Sequence, residues 1–189
     1  YSFPCYETAT GKIVGGPLLG KKYIAESYFE EGLPNVDPKI VSLYTAADRK
    51  YNIKLIIDKL NAGINIVLDR YVYSNMAFQG AKFKDDLQRL QFFEWIETLE
   101  FGLLELPKSD INIFLHVNVD KTADLLSKRK EDGDANEMCL DYLKKCEQTY
   151  FLLASKYNFK TIECVKNDKI RDIDDISAEL YRFILNNLK

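Results

Sequence analysis

The sequence predicts an α/β fold in which helices flank a parallel β-sheet. Three short apolar runs, 64–69, 110–117 and 159–164, have the near-continuous hydrophobic pattern of buried parallel strands. Amphipathic helical patterns occupy the segments between these runs, which implies right-handed crossovers between parallel strands. Neither a repeat nor a polar linker divides the sequence. We therefore expect one domain over residues 1–189.

The N-terminal part has clear boundary signals for one long helix. Residues 1–4 resemble the end of a strand and lead into a predicted loop, whose glycines are Gly11, Gly15, Gly16 and Gly20. Asp37 is a good N-terminal cap for the helix that follows, and Pro38 suits its first position. The helix is predicted to end near Asn61, because Gly63 stops it.

Further helices separate the remaining strands. We predict them over 72–81, 86–101, 120–130, 137–156 and 173–188. The second of these has five apolar residues at helical spacing, namely Leu87, Leu90, Phe93, Ile96 and Leu99. The closing helix has a similar apolar face of Ile173, Ile176, Leu180, Phe183 and Ile184. Residues 165–170 are expected to form a loop after the last strand.

Composition excludes several classes of function. The net charge of −3 argues against a nucleic-acid partner, because nucleic-acid-binding domains are usually basic. The sequence has no secretory signal and no apolar run long enough to span a membrane, so we expect no membrane association. Its cysteines are scattered without a C-x-x-C pair, which fits a cytoplasmic, reducing location; they are Cys5, Cys139, Cys146 and Cys164.

The most informative motif begins where the apolar run 64–69 ends. Asp69 and Arg70 are adjacent there and precede a helix with amide and aromatic side chains, in the sequence Asp-Arg-Tyr-Val-Tyr-Ser-Asn-Met-Ala-Phe-Gln-Gly-Ala-Lys over 69–82. Ligands of open α/β sheets bind beyond the carboxyl ends of the strands. An arginine at this position suits a phosphate group, since its guanidinium can donate two parallel hydrogen bonds. An ordinary ion pair between the two side chains is the structural alternative.

This motif closely resembles that of the thymidylate kinases, and the order of the predicted elements resembles a P-loop nucleoside-monophosphate kinase. Phe3 and Pro4 match the Phe-Pro of that family at the end of its second strand. The resemblance implies an enzyme that transfers the γ-phosphoryl group of ATP to dTMP with Mg²⁺, giving ADP and dTDP. It also implies a homodimer packed through helices, for which the helix 37–60 is a candidate.

The sequence contains no phosphate-binding G-x-x-x-x-G-K-S/T motif. We therefore expect that a strand–loop–helix unit of roughly 30 to 40 residues precedes Tyr1 in the intact protein. The resemblance implies that its strand lies in the middle of the sheet, so that two strand edges of the present chain would be unpaired without it. The alternative is a degenerate relative that has lost catalysis.

The resemblance implies catalytic roles for three residues. Arg70 would bridge the acceptor phosphate and the transferred group, and Asp69 would orient Mg²⁺, directly or through water. Arg129 lies in a charged segment of about 127–137 that matches the family's mobile lid over ATP, and it could contact the donor phosphates. Phosphoryl transfer depends mainly on such positioning and charge stabilisation.

The resemblance also implies a set of residues that bind the acceptor, namely Phe3, Pro4, Tyr6, Tyr44, Arg49, Arg70, Asn75, Phe78 and Gln79. Arg49 would reach the thymine ring, Asn75 and Gln79 would hydrogen-bond the base, and Phe78 would exclude a 2′-hydroxyl. The family usually has a stacking aromatic residue four positions before the arginine; here that position is Thr45, and Tyr44 precedes it. One residue rotates a helical side chain by about 100°.

Two alternatives to a dTMP kinase remain open. A related kinase with another acceptor, such as dGMP, dUMP or a deoxynucleoside, is compatible with the shifted Tyr44. A non-catalytic nucleotide-binding protein is compatible with the missing P-loop motif. His116, the only histidine, lies in the predicted strand 110–117 and is interpreted as a structural residue.

Overall fold

A computed structural model describes residues 1–127 and 140–188, with side chains at 123, 124, 126 and 127 left out of the description. The described residues form two compact units, one of 1–108 with 140–149 and one of 109–127 with 150–188. The single domain over 1–189 stays a prediction.

The first unit is built mainly from helices. They are α1 Ala9–Ile13, α2 Pro38–Asn61, α3 Val72–Gly80, α4 Asp86–Glu97 and the first part of α6 Leu140–Lys156, with two π-helical segments Val14–Leu18 and Thr98–Leu103 and a 3₁₀ turn Leu33–Asn35. The predicted loop after residue 4 was wrong, because α1 and the first π-helical segment occupy it. Thr8 caps α1 by accepting a hydrogen bond from the Gly11 amide, and a side chain at Gly11 would collide with the Cys5 carbonyl at 1.8 Å.

Helix α2 is confirmed with the predicted boundaries. The Asp37 carboxylate accepts hydrogen bonds from the backbone amides of Lys39 and Ile40, at 2.7 and 3.3 Å. Pro38 occupies the first position, and Gly63 follows the end of the helix with a φ of 75°. The helix therefore begins and ends on local signals that the sequence contains.

The strand predicted over 64–69 forms a parallel bridge only at its end. Ser2 bridges Asp69, supported by hydrogen bonds from the Asp69 amide to the Tyr1 carbonyl and from the Phe3 amide to the Asp69 carbonyl, at 2.8 and 3.2 Å. The expected burial of this run was wrong, since Val67 is 70% exposed. Within the described part of this unit, no strand pairs with the other edge of residues 64–69. An isolated pair of short strands is only marginally stable, so few regular hydrogen bonds form here.

The core of this unit includes the packing of α3 against α4. The predicted helix 72–81 is confirmed as α3, and the predicted helix 86–101 continues beyond α4 as a π-helical segment. Gly80 lets the two helices approach closely, because a Cβ there would lie 2.9 Å from the Phe93 ring. Several apolar residues of α3 and α4 are completely buried, namely Val72, Met76, Ala77, Phe93 and Ile96.

The second unit contains a parallel strand pair and a hairpin. Strands β1 Ile113–His116 and β2 Lys160–Glu163 pair in parallel, while β3 Val165–Lys166 and β4 Lys169–Ile170 pair antiparallel. The parallel pairing confirms the predicted strand type, although both strands are shorter than predicted. The predicted loop over 165–170 is instead this hairpin, whose turn residues Asn167 and Asp168 have φ values of 51° and 60°.

The helices of the second unit are α5 Val119–Ser127, the last part of α6 and α7 Ile173–Asn187. They confirm the predicted helices as far as the described residues extend, since 128–139 lie outside them. The predicted apolar face of α7 is half-buried except at Ile173, which is 80% exposed. Among the described helices, none has the length and apolar composition needed to cross a membrane.

Lys82 joins the segment after α3 to the segment before α2. Its ammonium group donates hydrogen bonds to the carbonyls of Leu33 and Val36, both at 2.7 Å. Burial lowers the pKa of Lys82 from 10.5 to about 8, although nearby Asp37 and Cys146 act in the opposite direction. The charged form is therefore less favourable in the folded protein than in the unfolded chain.

Lys82 predicts a pH-dependent contribution to stability. Its pKa is lower in the folded protein, so the unfolded chain holds more protons between about pH 8 and 10.5, and the free energy of unfolding contributed by this group rises with pH in that window. We will compare the free energy of unfolding of wild type and Lys82→Met, measured with urea at pH 7, 8, 9 and 10. As pH rises, we expect wild type to gain stability relative to the variant.

The matched control is Lys84→Met, which removes an exposed lysine from the same segment. A difference between wild type and Lys82→Met that stays constant from pH 7 to 10 would contradict the buried environment assigned to Lys82.

Candidate active site

Asp69 forms the parallel bridge with Ser2, and Arg70, the next residue, has an unusual backbone conformation. Arg70 has a φ of 65°, in the left-handed region that non-glycine residues seldom adopt. Such conformations are often found at functional sites. The Arg70 guanidinium lies 5.2 Å from the centre of the Phe78 ring. It forms no ion pair with Asp69 or with another described residue, so the ordinary ion-pair alternative is not observed.

Helix α3 carries buried amide groups that lack hydrogen-bond partners. Asn75 and Gln79 are 7% and 3% exposed, and they are four residues apart, on one face of the helix. Both side-chain polar atoms of Asn75 and the oxygen Oε1 of Gln79 have no partner among the described residues. Nearly all buried polar atoms in folded proteins are satisfied, so these atoms retain hydrogen-bonding capacity that a ligand could use.

Phe78 and Tyr71, two aromatic residues of the Asp69–Lys82 motif, are each held by a hydrogen bond to a distant part of the first unit. The Phe78 carbonyl accepts a hydrogen bond from the Tyr142 hydroxyl, and the residue packs against Ala81 and Cys146. The Tyr71 hydroxyl donates to the Pro107 carbonyl at 3.0 Å. Burial raises the pKa of Tyr71, so its hydroxyl remains a donor. These contacts hold α3 and the Arg70 backbone in place.

Arg49 is buried in α2 and bound to a carboxylate that the sequence analysis missed. Its Nε and Nη2 donate to the two oxygens of Glu100, at 2.5 and 2.6 Å, in a bidentate arrangement. Nη2 also donates to the Thr45 hydroxyl at 3.2 Å. Arg49 is 4% exposed and Glu100 is completely buried. Thr45, which occupies the expected aromatic position, is therefore a neighbour of the arginine.

Asp48, the residue before Arg49, organises the loop after Phe3 and Pro4. One carboxylate oxygen accepts from the Cys5 amide at 2.9 Å. The other accepts from the Thr10 hydroxyl and the Asn52 amide, both at 2.8 Å. Asp48 is completely buried, and its charge requires the donors that Cys5, Thr10 of α1 and Asn52 of α2 supply. The Phe3–Pro4 peptide bond is cis.

The three predicted aromatic contacts of the acceptor have different surroundings. Phe3 is buried, with its ring 5.8 Å from that of Tyr71. The Tyr6 ring lies below the Lys21 ammonium at 5.2 Å. The Tyr44 ring meets Phe29 edge-on at 6.4 Å and is partly exposed. Their contacts with a nucleotide stay predictions.

Two further sequence predictions concern Arg129 and His116. Arg129 and most of the expected lid of about 127–137 lie outside the described residues. His116 belongs to the second unit, where its Nδ1 lies 2.6 Å from the Glu163 carboxylate, as expected of a structural histidine. Among the described residues, no group of three or more His, Cys, Asp or Glu side chains could hold a metal ion.

The lack of a preformed metal cluster is compatible with one kind of magnesium site. Mg²⁺ often binds through one or two carboxylates, several waters and the phosphates of a substrate. The Asp69 carboxylate is exposed and has no ion-pair partner among the described residues. It could serve as such a single ligand. When bound, the ion would neutralise charge on the phosphates.

Asp48 and Glu100 are the functional candidates that sequence reasoning missed. Both are acids at positions where helical periodicity predicts burial, and a buried acid requires a partner. Glu100 lies four residues after the buried Ile96, and Asp48 lies seven residues, or two helical turns, after the buried Val41. This pattern could have identified both as paired charges, although it does not identify their partners.

Comparisons with known proteins give a consistent result. A family model described as Thymidylate kinase matches residues 22–174. The thymidylate kinase of Schizosaccharomyces pombe is 24% identical over 186 residues, which cover 98% of this chain and 76% of that protein. A probable thymidylate kinase of Methanocaldococcus jannaschii is 28% identical over 197 residues, covering 94% of this chain and 91% of that protein.

A solved structure supports the fold. The thymidylate kinase of Candida albicans superimposes with a TM-score of 0.70 at 24% identity, over 98% of this chain and 78% of that one. The protein therefore has the α/β fold of the nucleoside-monophosphate kinases. Because the family model covers most of the sequence, the chain belongs to the thymidylate kinase family, a family of enzymes.

The Asp48 network predicts a specific effect on stability. Both carboxylate oxygens of Asp48 accept hydrogen bonds, so Asp48→Asn would set its own N–H donors against a donor of the protein. Buried donors would then lack acceptors. We expect the free energy of unfolding, measured with urea, to fall by about 1–3 kcal/mol. Asp58→Asn is the control, since Asp58 is in the same helix with an exposed pair to Lys54, and we expect a change within about 0.5 kcal/mol. Equal effects of the two substitutions would contradict the role of Asp48.

Proposed function

We propose that this protein transfers the γ-phosphoryl group of ATP to dTMP, giving ADP and dTDP, and that residues 1–189 act as one domain. Family membership supports the phosphorylation of dTMP. The observation that carries the choice of acceptor is the buried, unsatisfied amide pair of Asn75 and Gln79. A nucleobase has donors and acceptors along one edge, and these could satisfy both side chains.

The amide atoms match the polar edge of thymine in kind. Thymine has a donor N–H between two carbonyl oxygens. In the proposed complex, Gln79 Oε1 accepts from the N–H and Asn75 Nδ2 donates to a carbonyl. Phe78 lies on the same helix and packs near the deoxyribose, where a ring would exclude a 2′-hydroxyl. A site of this kind discriminates strongly, because the wrong base leaves buried groups unpaired.

Arg70 is the proposed phosphate ligand and catalytic residue. Its guanidinium is exposed and not neutralised by another described residue, which leaves its charge available to an anion. Stacking over Phe78 limits where the group can point. Asp69 is the proposed partner of Mg²⁺ and its waters. Phe3, Pro4, Tyr6 and Tyr44 complete the proposed acceptor site, and Arg129 is the proposed lid contact to ATP.

A wider acceptor range is the second candidate function. Thr45 stands where an aromatic residue would stack on the base, and its hydroxyl binds Arg49. The neighbouring Tyr44 ring packs against Phe29. A site with weaker stacking would depend more on polar contacts, and a related acceptor such as dUMP or dGMP then becomes a competitor.

We further propose a cytoplasmic homodimer. Helix α2 has an exposed apolar stripe that includes Ile40, Tyr51 and Leu55, which are 45%, 64% and 54% exposed. A second copy of the chain could cover it, and light scattering of the purified protein would measure the resulting mass. The cysteines among the described residues are free thiols, as in a reducing compartment, and imaging of the tagged protein would check the location.

The function is tested by ADP release from protein made from its native gene. With ATP and Mg²⁺, we expect turnover on dTMP to exceed that on dUMP, dGMP and thymidine in kcat/KM. A preference for another acceptor would favour the second candidate function. Folded protein that binds dTMP without turnover on any acceptor would instead indicate a non-catalytic nucleotide-binding protein.

Arg70→Ala tests the proposed mechanism. We expect kcat on dTMP to fall by about 100-fold or more, because one charge that stabilises the transferred phosphoryl group is lost. Arg70→Lys retains the charge without the bidentate geometry, so its kcat should lie between those of wild type and Arg70→Ala. Arg182→Ala, at an exposed arginine of α7, is the control and should turn over like wild type. Near-wild-type kcat for Arg70→Ala, with unchanged circular dichroism, would refute this role.

A further inference from the structure

Glu100 is a completely buried carboxylate to which the proposed function has assigned no role. It lies in the π-helical segment Thr98–Leu103 that continues α4. Its two oxygens accept from Nε and Nη2 of Arg49, which is 51 residues away in the chain. Single π-helical turns inside helices are rare and are often found at functional sites. The pair therefore joins a distorted helix end to the middle of α2.

The geometry of the pair restricts what Arg49 can still bind. Glu100 occupies the edge of the guanidinium formed by Nε and Nη2, and Thr45 accepts the remaining hydrogen of Nη2. Both N–H groups of Nη1 are left without a partner among the described residues. A guanidinium is planar and rigid, so fixing one edge also fixes the direction of the other nitrogen.

Burial makes this fixation strong. A charge that is 4% exposed requires a partner, and removing one member of a buried pair leaves the other uncompensated. Arg49 therefore cannot easily rotate away from Glu100 when a ligand enters. Helix α2 packs against α3, the helix that contains the unsatisfied Asn75 and Gln79. Arg49 and these amides therefore lie on two helices that pack against each other, where one ligand could contact both.

We infer that Glu100 is a positioning residue that holds Nη1 of Arg49 against a carbonyl oxygen of the acceptor base. This inference rests on the proposed function and extends it to base selection. A pyrimidine with a carbonyl at position 4, as in dTMP and dUMP, accepts a hydrogen bond from Nη1. A pyrimidine with an amino group there, as in dCMP, sets a donor against a donor. Glu100 thereby favours the carbonyl base without contacting it.

The test compares Glu100→Gln with wild type in ADP release. We expect the KM for dTMP to rise by about 10-fold or more and the ratio of kcat/KM for dTMP to that for dCMP to fall by a similar factor. The KM for ATP should not change, since the pair acts on the acceptor base. Glu97→Gln, three residues earlier and in a weaker pair with Lys108 at 3.7 Å, is the matched control and should retain the wild-type ratio.

A second variant, Glu100→Asp, tests the same inference if Glu100→Gln does not fold. Glu100→Asp keeps the charge that compensates Arg49 but withdraws it by one methylene, so we expect folded protein with a reduced dTMP-to-dCMP ratio. An unchanged ratio in Glu100→Asp would overturn the inference.

A double-mutant comparison separates positioning from a purely structural role. Because Glu100 acts through Arg49, the ratio for Arg49→Gln and that for Arg49→Gln/Glu100→Gln should be equal. A further fall in the double variant would overturn the inference. Wild-type protein without turnover on dTMP would refute the proposed function itself, whereas wild-type turnover with Glu100 variants that match Glu97→Gln would refute only the role of Glu100.

Discussion

Two adjacent buried charges in α2 constrain the rest of the first unit. Asp48 and Arg49 differ by about 100° in direction around the helix, so they need partners on different sides. The segment after Pro4, including Thr10 of α1, supplies donors to Asp48, and Glu100 supplies a carboxylate to Arg49. Leaving either charge unpaired would cost several kcal/mol, comparable to a large part of the stability of a domain. The N-terminal loop and the end of the α4 helix are therefore both tied to one turn of α2.

The buried polar groups of α3 differ in their hydrogen bonding from these two buried charges of α2. Asp48 and Arg49 of α2 are paired with groups of the protein, whereas the Asn75 amide and Oε1 of Gln79 are buried without partners among the described residues. Unpaired buried amides reduce stability, and they are retained most readily where a ligand completes them. Arg70 shows the same contrast in its backbone, since a left-handed conformation at a non-glycine residue is also unfavourable. Both unfavourable features occur in the Asp69–Lys82 motif, which is where the sequence indicates the chemistry.

The sequence predicted elements that depend on local signals and missed those that depend on distant partners. Helix α2 has the predicted limits because Asp37, Pro38 and Gly63 act within one turn. The run 64–69 failed to become a buried strand because its pairing depends on other strands, which its own pattern cannot reveal. The Arg70 motif was predictable as a contiguous pattern. Glu100 was not, because its partner is 51 residues away and its helical spacing predicts only burial.

The two arginines of the proposed site differ in whether a carboxylate compensates their positive charge. This difference suits one of them to the base of a nucleotide and the other to its phosphate. Arg49 is neutralised by Glu100 in a buried bidentate pair, so it offers directional donors with little net field. Such a group suits a neutral base, where direction matters more than charge. Arg70 has no counter-charge among the described residues, so its field extends to an approaching anion. Phosphate attraction and base recognition can then be altered separately, because each depends on a different arginine.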